Sequence, residues 1–152
     1  MSARKLLAIS SALTFLVSPA MAQDKPDTPT SIKGAKVISI DEGKALLDKK
    51  GAAFFDTRNA LNFGKGHIPG AQIVSYKEKS AFTADFDVAQ DTFELAKLPS
   101  DKNAKIVIYS DGPKGWKSYK AATLSVNAGY KNVAWMRDGF AGWTAKNYPV
   151  AQ

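Results

Sequence analysis

Residues 106–118, IVIYSDGPKGWKS, hold the residue types and the spacing from which chemistry could be built. The run Ile106-Val107-Ile108-Tyr109 predicts a buried strand, and Gly112, Pro113 and Gly115 a tight loop after it. A helix is expected to open near Trp116-Lys117-Ser118. Strand, loop and helix N-terminus together form an anion cradle, because unpaired backbone N–H groups and the positive helix end point the same way. Enzymes that run thiolate chemistry in such a cradle place a cysteine at its first position. That position is Ser110, and the chain contains no cysteine at all.

A thiol ionises near pH ~8.5, and lower beside a helix N-terminus, whereas a serine hydroxyl stays protonated until a neighbouring base takes its proton. His67 is the single histidine, and it precedes a strand expected to start at Ile73. With strands of about five residues at ~3.3 Å each, it falls at the opposite end of a parallel sheet from Ser110, roughly 15 Å away. No His–Ser pair forms across that gap, so the catalytic set is empty.

Binding is the remaining use of the loop. Lys114 and Lys117 lie where a cation faces the positive end of the helix dipole, a placement that an anion between them would relieve. Alternatively both extend into water. The Asp111 carboxylate could itself fill the cradle, and Ser110 could merely satisfy loop N–H groups. Trp116 would wall or cover the pocket, or join the lysines in a protein-docking surface. The candidate ligand-binding loop is therefore Ser110, Asp111, Gly112, Lys114, Gly115, Trp116, Lys117 and Ser118. One histidine without cysteine offers too few ligands for zinc, and no metal or cofactor is expected.

The elements that position this loop follow from the rest of the chain. Residues 1–22 have a basic start (Arg4, Lys5), an apolar run and Ala20-Met21-Ala22, the grammar of a secretory signal peptide cleaved after Ala22. The apolar run is short for a bilayer span and Pro19 interrupts it, so no membrane association is expected after cleavage. The protein is then periplasmic or secreted. Cleavage removes Arg4 and Lys5 from the 21 basic residues, which still outnumber the 14 acidic ones. Lysines are scattered along the chain, so a solvated basic surface is the better reading and nucleic acid is not an expected partner. Without disulfides the domain must hold by its core, which 45% hydrophobic residues can supply.

Residues 23–34 read as a flexible, polar, Pro-containing lead-in. Strands are expected at 37–40, 52–55, 73–74, 106–109 and 133–135. Helices are expected after Asp41 as cap, at 59–63, 85–96, 117–128 (closed by Gly129) and 140–145. Strands that alternate with helices, as apolar runs rather than strict alternation, predict an α/β fold with a mostly parallel sheet of about five strands covered on both faces. Ligands gather beyond the carboxyl ends of such strands, where Ser110 falls.

Three motifs in order resemble the rhodanese-like family of sulfurtransferase domains. They are Asp56-Thr57-Arg58 after a buried strand, the turn Gly66-His67-Ile68-Pro69-Gly70-Ala71, and a C-terminal Gly139, Trp143 and Tyr148-Pro149-Val150. The resemblance runs from about Val37 to Val150, so that with the N-terminal reading the chain is expected to divide into a signal peptide at 1–22, a flexible segment at 23–35 and one rhodanese-like domain at 36–150. Active members carry a persulfide-forming cysteine where Ser110 stands, followed by Arg-Ser where this chain has Lys117-Ser118. The loop is two residues longer than is typical, and Gly115 takes the place of a second cysteine found in some exported relatives. In the family Asp56 and Arg58 more often hold the strand exit by an ion pair than act as catalytic acid and anion clamp. His67 reads as a turn residue. Together with the signal peptide and the missing cysteine, this predicts an exported homologue without sulfurtransferase activity, acting as an accessory module that binds a small oxyanion or a partner protein. The alternative is an enzyme with residual sulfur-oxyanion or phosphate-ester activity at the enlarged loop.

Overall fold

A computed structural model describes residues 25–152. The expected signal peptide lies outside the described residues. Five strands form one sheet: β1 (Ala35–Val37), β2 (Ala53–Asp56), β3 (Gln72–Ile73), β4 (Lys105–Tyr109) and β5 (Asn132–Trp135). Their order is β1-β5-β4-β2-β3, and every pairing is parallel. Four helices accompany them: α1 (Ile40–Asp48), α2 (Ala60–Lys65), α3 (Trp116–Asn127) and α4 (Gly139–Ala145).

The central strand β4 shows why continuous apolar runs were needed. Ile106 and Ile108 point into a cluster with Trp116, Tyr119, Ala121 and Ala122 of α3. Val107 and Tyr109 point the other way, into a cluster with Met136 and with Trp143 of α4. These four residues of β4 are fully buried, as a strand covered on both faces requires. Trp135 and Trp143 are core residues, one in each layer.

Four expectations give way, the smallest being the first strand, which runs Ala35–Val37 and not 37–40 because Ser39 caps a helix that Ile40 opens. Helix α1 is capped by Ser39 and not Asp41: Ser39 Oγ accepts from the Glu42 N–H at 3.1 Å while Glu42 accepts from the Ser39 N–H at 2.8 Å. This reciprocal box satisfies two orphan donors at once, which Asp41 alone cannot do. Asp41 instead accepts from the Tyr148 hydroxyl and from Lys146.

Residues 85–96 are not a helix. They form two short 3-10 turns, Val88–Gln90 and Leu95–Lys97, beside an antiparallel bridge between Lys77 and Thr92. Asp87 caps only the first short turn, and Asp91 ties the segment to residues 76–80. Asp87 takes the Ala89 N–H, and Asp91 accepts from the Lys79 and Ser80 N–H groups and from the Tyr76 and Ser80 hydroxyls. Burial pushes the Asp91 carboxyl up, but these four donors outweigh it and hold its pKa at about 2.

The lead-in is not a loose segment from Lys25 onward. Thr28 and Ile32 are buried, and Arg137 binds the segment through the Thr28 hydroxyl and the carbonyls of Thr28 and Pro29. Polar composition hid this docking because the bonds are mostly made by backbone carbonyls, which any sequence supplies.

Candidate functional site

Ser110 is the first residue beyond β4, at the carboxyl edge of the sheet, and only 1% of it is exposed. Its hydroxyl lies 2.8 Å from the Ser118 hydroxyl and 3.1 Å from the Gly115 carbonyl, and accepts from the Ser118 N–H at 3.3 Å. The Ser118 hydroxyl also reaches the Gly115 carbonyl at 3.0 Å and accepts from the Trp135 indole N–H at 3.0 Å. A consistent proton assignment runs from Trp135 through Ser118 to Gly115, with Ser110 donating to Ser118. The cradle is closed by its own hydroxyls, and no base is among the partners of Ser110.

Two glycines permit this closure. A Cβ on Gly115 would stand 2.2 Å from Ser110 Oγ and 2.7 Å from the Gly112 carbonyl. Gly139 has φ +58, and a Cβ there would stand 2.6 Å from the Ser110 carbonyl oxygen. That close approach lets the first turn of α4 bind the loop: the Phe140 and Ala141 N–H groups donate to the carbonyls of Ser110 and Asp111, each at 2.8 Å.

The remaining loop residues depart from the cradle picture. Asp111 is exposed and does not enter the loop interior. Lys114 turns outward, donating to the Lys25 carbonyl at 2.9 Å and standing 3.6 Å from Asp27. Lys117 is half-buried on the first turn of α3. Trp116 is only 3% exposed, so it is a core residue and not a docking aromatic. Its indole N–H donates to the Pro26 carbonyl, and its ring meets Tyr119 edge-on and Phe82 at a tilt. Thr28 completes the tie, giving both its N–H and its hydroxyl to the Pro113 carbonyl.

Asp56 and Arg58 meet as a buried ion pair. Arg58 Nε contacts both carboxylate oxygens at 3.0 and 3.1 Å, Nη2 reaches one at 2.7 Å, and the Arg58 N–H adds a fourth bond at 2.9 Å. Nη2 also donates to the Gly66 carbonyl, and the guanidinium lies 4.2 Å from the Phe140 ring centre. Burial works against the charge, yet the hydrogen bonds and charge of Asp56 carry the Arg58 pKa above its ordinary value. Nε and Nη2 are thereby committed to Asp56 and to the Gly66 carbonyl.

The motif 66–71 is a turn. The Ala71 N–H donates to the Ile68 carbonyl, Pro69 takes the second position and Gly70 the third, with φ +78. The Ile68 N–H binds the Tyr109 phenol oxygen. Burial first, and then the Asp56 charge, push that phenol up, so it stays protonated. His67 stacks on Phe63, places Nδ1 2.9 Å from the Phe63 carbonyl, and pairs its backbone with Ala151.

The separation of His67 from Ser110 rested on full-length strands, and that premise fails. β3 has two residues and pairs with Phe55 and Asp56 at the carboxyl half of β2. The turn therefore sits nearer the Ser110 end than a five-residue strand would place it. The conclusion is unaffected, because no hydrogen bond joins His67 to Ser110, whose hydroxyl is engaged by Ser118 and Gly115.

One buried group was missed. Lys120 is fully buried on α3, with Nζ 2.7 Å from Glu78 and 2.8 Å from the Ser80 hydroxyl, between the rings of Phe82 and Phe86. The Glu78 contact is ionic rather than a well-directed hydrogen bond, since the geometry favours the Ser80 oxygens. Only the sequence position of Lys120, amid the apolar residues of α3, could have signalled it.

A family model described as the rhodanese-like domain matches residues 39–146. The chain is 30% identical over 117 residues to the protein YibN of Escherichia coli strain K12, covering 77% of this chain and 73% of that one. It is 31% identical over 123 residues to thiosulfate sulfurtransferase 18 of Arabidopsis thaliana, covering 80% and 88%. Among solved structures, a thiosulfate sulfurtransferase from Pseudomonas aeruginosa superposes with TM-score 0.59 at 23% identity. That match takes in 79% of this chain and 21% of the larger protein, and shows a common fold.

Proposed function

Because the chain belongs to the rhodanese-like domain family, we propose that it is an exported member that engages a partner protein and does not carry sulfur. One observation carries the reading. The residue at the family's sulfur position, Ser110, has a buried hydroxyl spent on Ser118 and Gly115, in a chain without cysteine. Persulfide transfer needs an ionisable sulfur, and a serine without a base supplies neither sulfur nor an activated oxygen. The same lack of a base argues against residual phosphate-ester hydrolysis through Ser110.

Between the two binding modes, the geometry favours a protein over an oxyanion. The loop interior is filled, Lys114 is turned to Asp27, and Arg58 is committed to Asp56. Phe82 lies above the loop, 39% exposed, with the Lys25 ammonium 5.0 Å from its ring centre. An exposed aromatic ring at the loop is the residue type enriched in docking surfaces. Export rests on the signal-like grammar of residues 1–22.

Purified protein incubated with thiosulfate and cyanide should yield no thiocyanate above a protein-free blank. Intact-mass analysis after exposure to a sulfur donor should show no added sulfur atom. Turnover or a stable sulfur adduct sinks the reading. Thermal stabilisation by sulfate that disappears in Lys114→Ala/Lys117→Ala would restore the oxyanion version.

A further inference from the structure

Four lysines that are distant in sequence meet around one cleft at the other end of the sheet. Lys36 lies in β1, Lys49 ends α1, Lys105 opens β4 and Lys131 precedes β5, and all four are exposed. The cleft has a volume of ≈ 750 Å³, inside the range of roughly 300–1,000 Å³ in which small-molecule sites fall. Its floor is apolar, built from Ile38, Leu46 and Val133. Lys105 begins β4 and Ser110 follows its end, so five residues at ~3.3 Å put roughly 17 Å between cleft and loop.

Glu42 is the sole acidic residue lining it, and that carboxylate is already engaged. One oxygen accepts from the Ser39 N–H at 2.8 Å as part of the α1 cap, and the other stands 3.7 Å from Lys36. The positive charge around the floor is therefore largely unbalanced, and an anion would relieve the mutual repulsion. Ammonium groups on flexible stems suit a head group whose geometry is not planar or fixed. Phosphate or sulfate alone would leave the apolar floor unused. An apolar body alone would leave the lysines unpaired.

We propose that this cleft binds a small amphipathic anion, with an aliphatic chain or fused-ring body on the floor and a carboxylate, sulfonate or phosphate head among the four lysines. The site is separate from the Ser110 loop, and its existence does not depend on what that loop does.

Anilinonaphthalene sulfonate is the direct probe, titrated into the folded protein by fluorescence, with decanoate as competitor and inorganic phosphate as the head group alone. Saturable binding is expected, displaced by decanoate and not by phosphate at equal concentration. NMR shifts should concentrate in residues 34–49 and 131–134. Lys105→Glu/Lys131→Glu should weaken binding by roughly tenfold or more, and Lys79→Glu, outside the cleft, should not. Ala45→Glu is a second variant: it sits on the exposed wall of the cleft and would offer Lys49 an i,i+4 partner on α1. It too should weaken binding while the melting temperature holds. Non-saturable binding, affinity unchanged in both variants, or shifts mapping elsewhere would overturn the assignment. So would preferential binding of an acidic peptide or of anionic vesicles over the free amphiphile.

Discussion

Removing the Arg58 charge should unfold the domain far more readily than any change to the loop. In Arg58→Met, Asp56 loses three side-chain contacts of 2.7 to 3.1 Å and with them its one cationic partner, keeping the backbone N–H of residue 58. Asp56 has no exposed surface, so its carboxylate cannot turn to water. Breaking a buried pair on one side costs about 3–5 kcal/mol. For a domain of this size that corresponds to roughly 4 °C per kcal/mol, a fall of more than ten degrees. Asp56→Ala should cost a similar amount, because it strands the guanidinium with Gly66 as its remaining hydrogen-bond acceptor. The double variant Asp56→Ala/Arg58→Met should be less destabilised than the sum of the two, by about 1–3 kcal/mol, since neither charge is left alone. Urea unfolding of the four proteins measures the cycle. Additive losses, or single losses below about 1 kcal/mol, would refute the view that the pair is a structural clamp. They would reopen Arg58 as a free anion ligand.

Ser110→Cys should fold but stay sluggish toward thiol reagents in the native state, because the side chain is buried behind Gly115; rapid labelling would mean that the loop opens freely. Gly115→Ala should force the loop apart, since its Cβ would meet Ser110 Oγ at 2.2 Å, and should lower the melting temperature and speed amide exchange at Ser118; unchanged exchange would count against the closed cradle. Asp91 is held at a pKa of about 2, below the ordinary carboxyl value, so its contribution is full above pH ~4 and lost as pH falls through about 2. Discounted for partial exposure, that is about 1–2 kcal/mol, and Asp91→Asn should flatten the acid limb of the stability curve over that window. Lys120→Met should destabilise by about 3 kcal/mol or more through the stranded Glu78, and Glu78→Gln in the same background should recover part of the loss.

The sheet was legible because its strands are short apolar runs bounded by Gly, Pro and Asp, and Ile106–Tyr109 in particular has no other home. The motif 66–71 was legible down to its turn, since Pro69 and Gly70 occupy the two positions whose backbone angles they favour. Local competition was harder to see. Ser39 and Glu42 spell a capping box, yet Asp41 stands between them as a plausible rival. Residues 85–96 have enough apolar positions for a helix, but Asp87 takes the Ala89 N–H, Asp91 anchors the segment to Lys79 and Ser80, and Thr92 pairs with Lys77. What remained hidden is tertiary. Nothing in DKPDTPT announces that its carbonyls will be taken by Trp116, Lys114 and Arg137. Nor does any local pattern bring Lys36, Lys49, Lys105 and Lys131 to one rim.

The tie between residues 25–29 and the Pro113–Trp116 stretch has a practical bearing on how the protein should be handled. Whatever is fused immediately ahead of Lys25 pulls on the very backbone that shapes the site. An affinity tag or reporter placed there would act as a lever, and a bulky one could mimic a loop mutation. Attachment after Gln152 would leave this tie alone and load instead the pairing of Ala151 with His67.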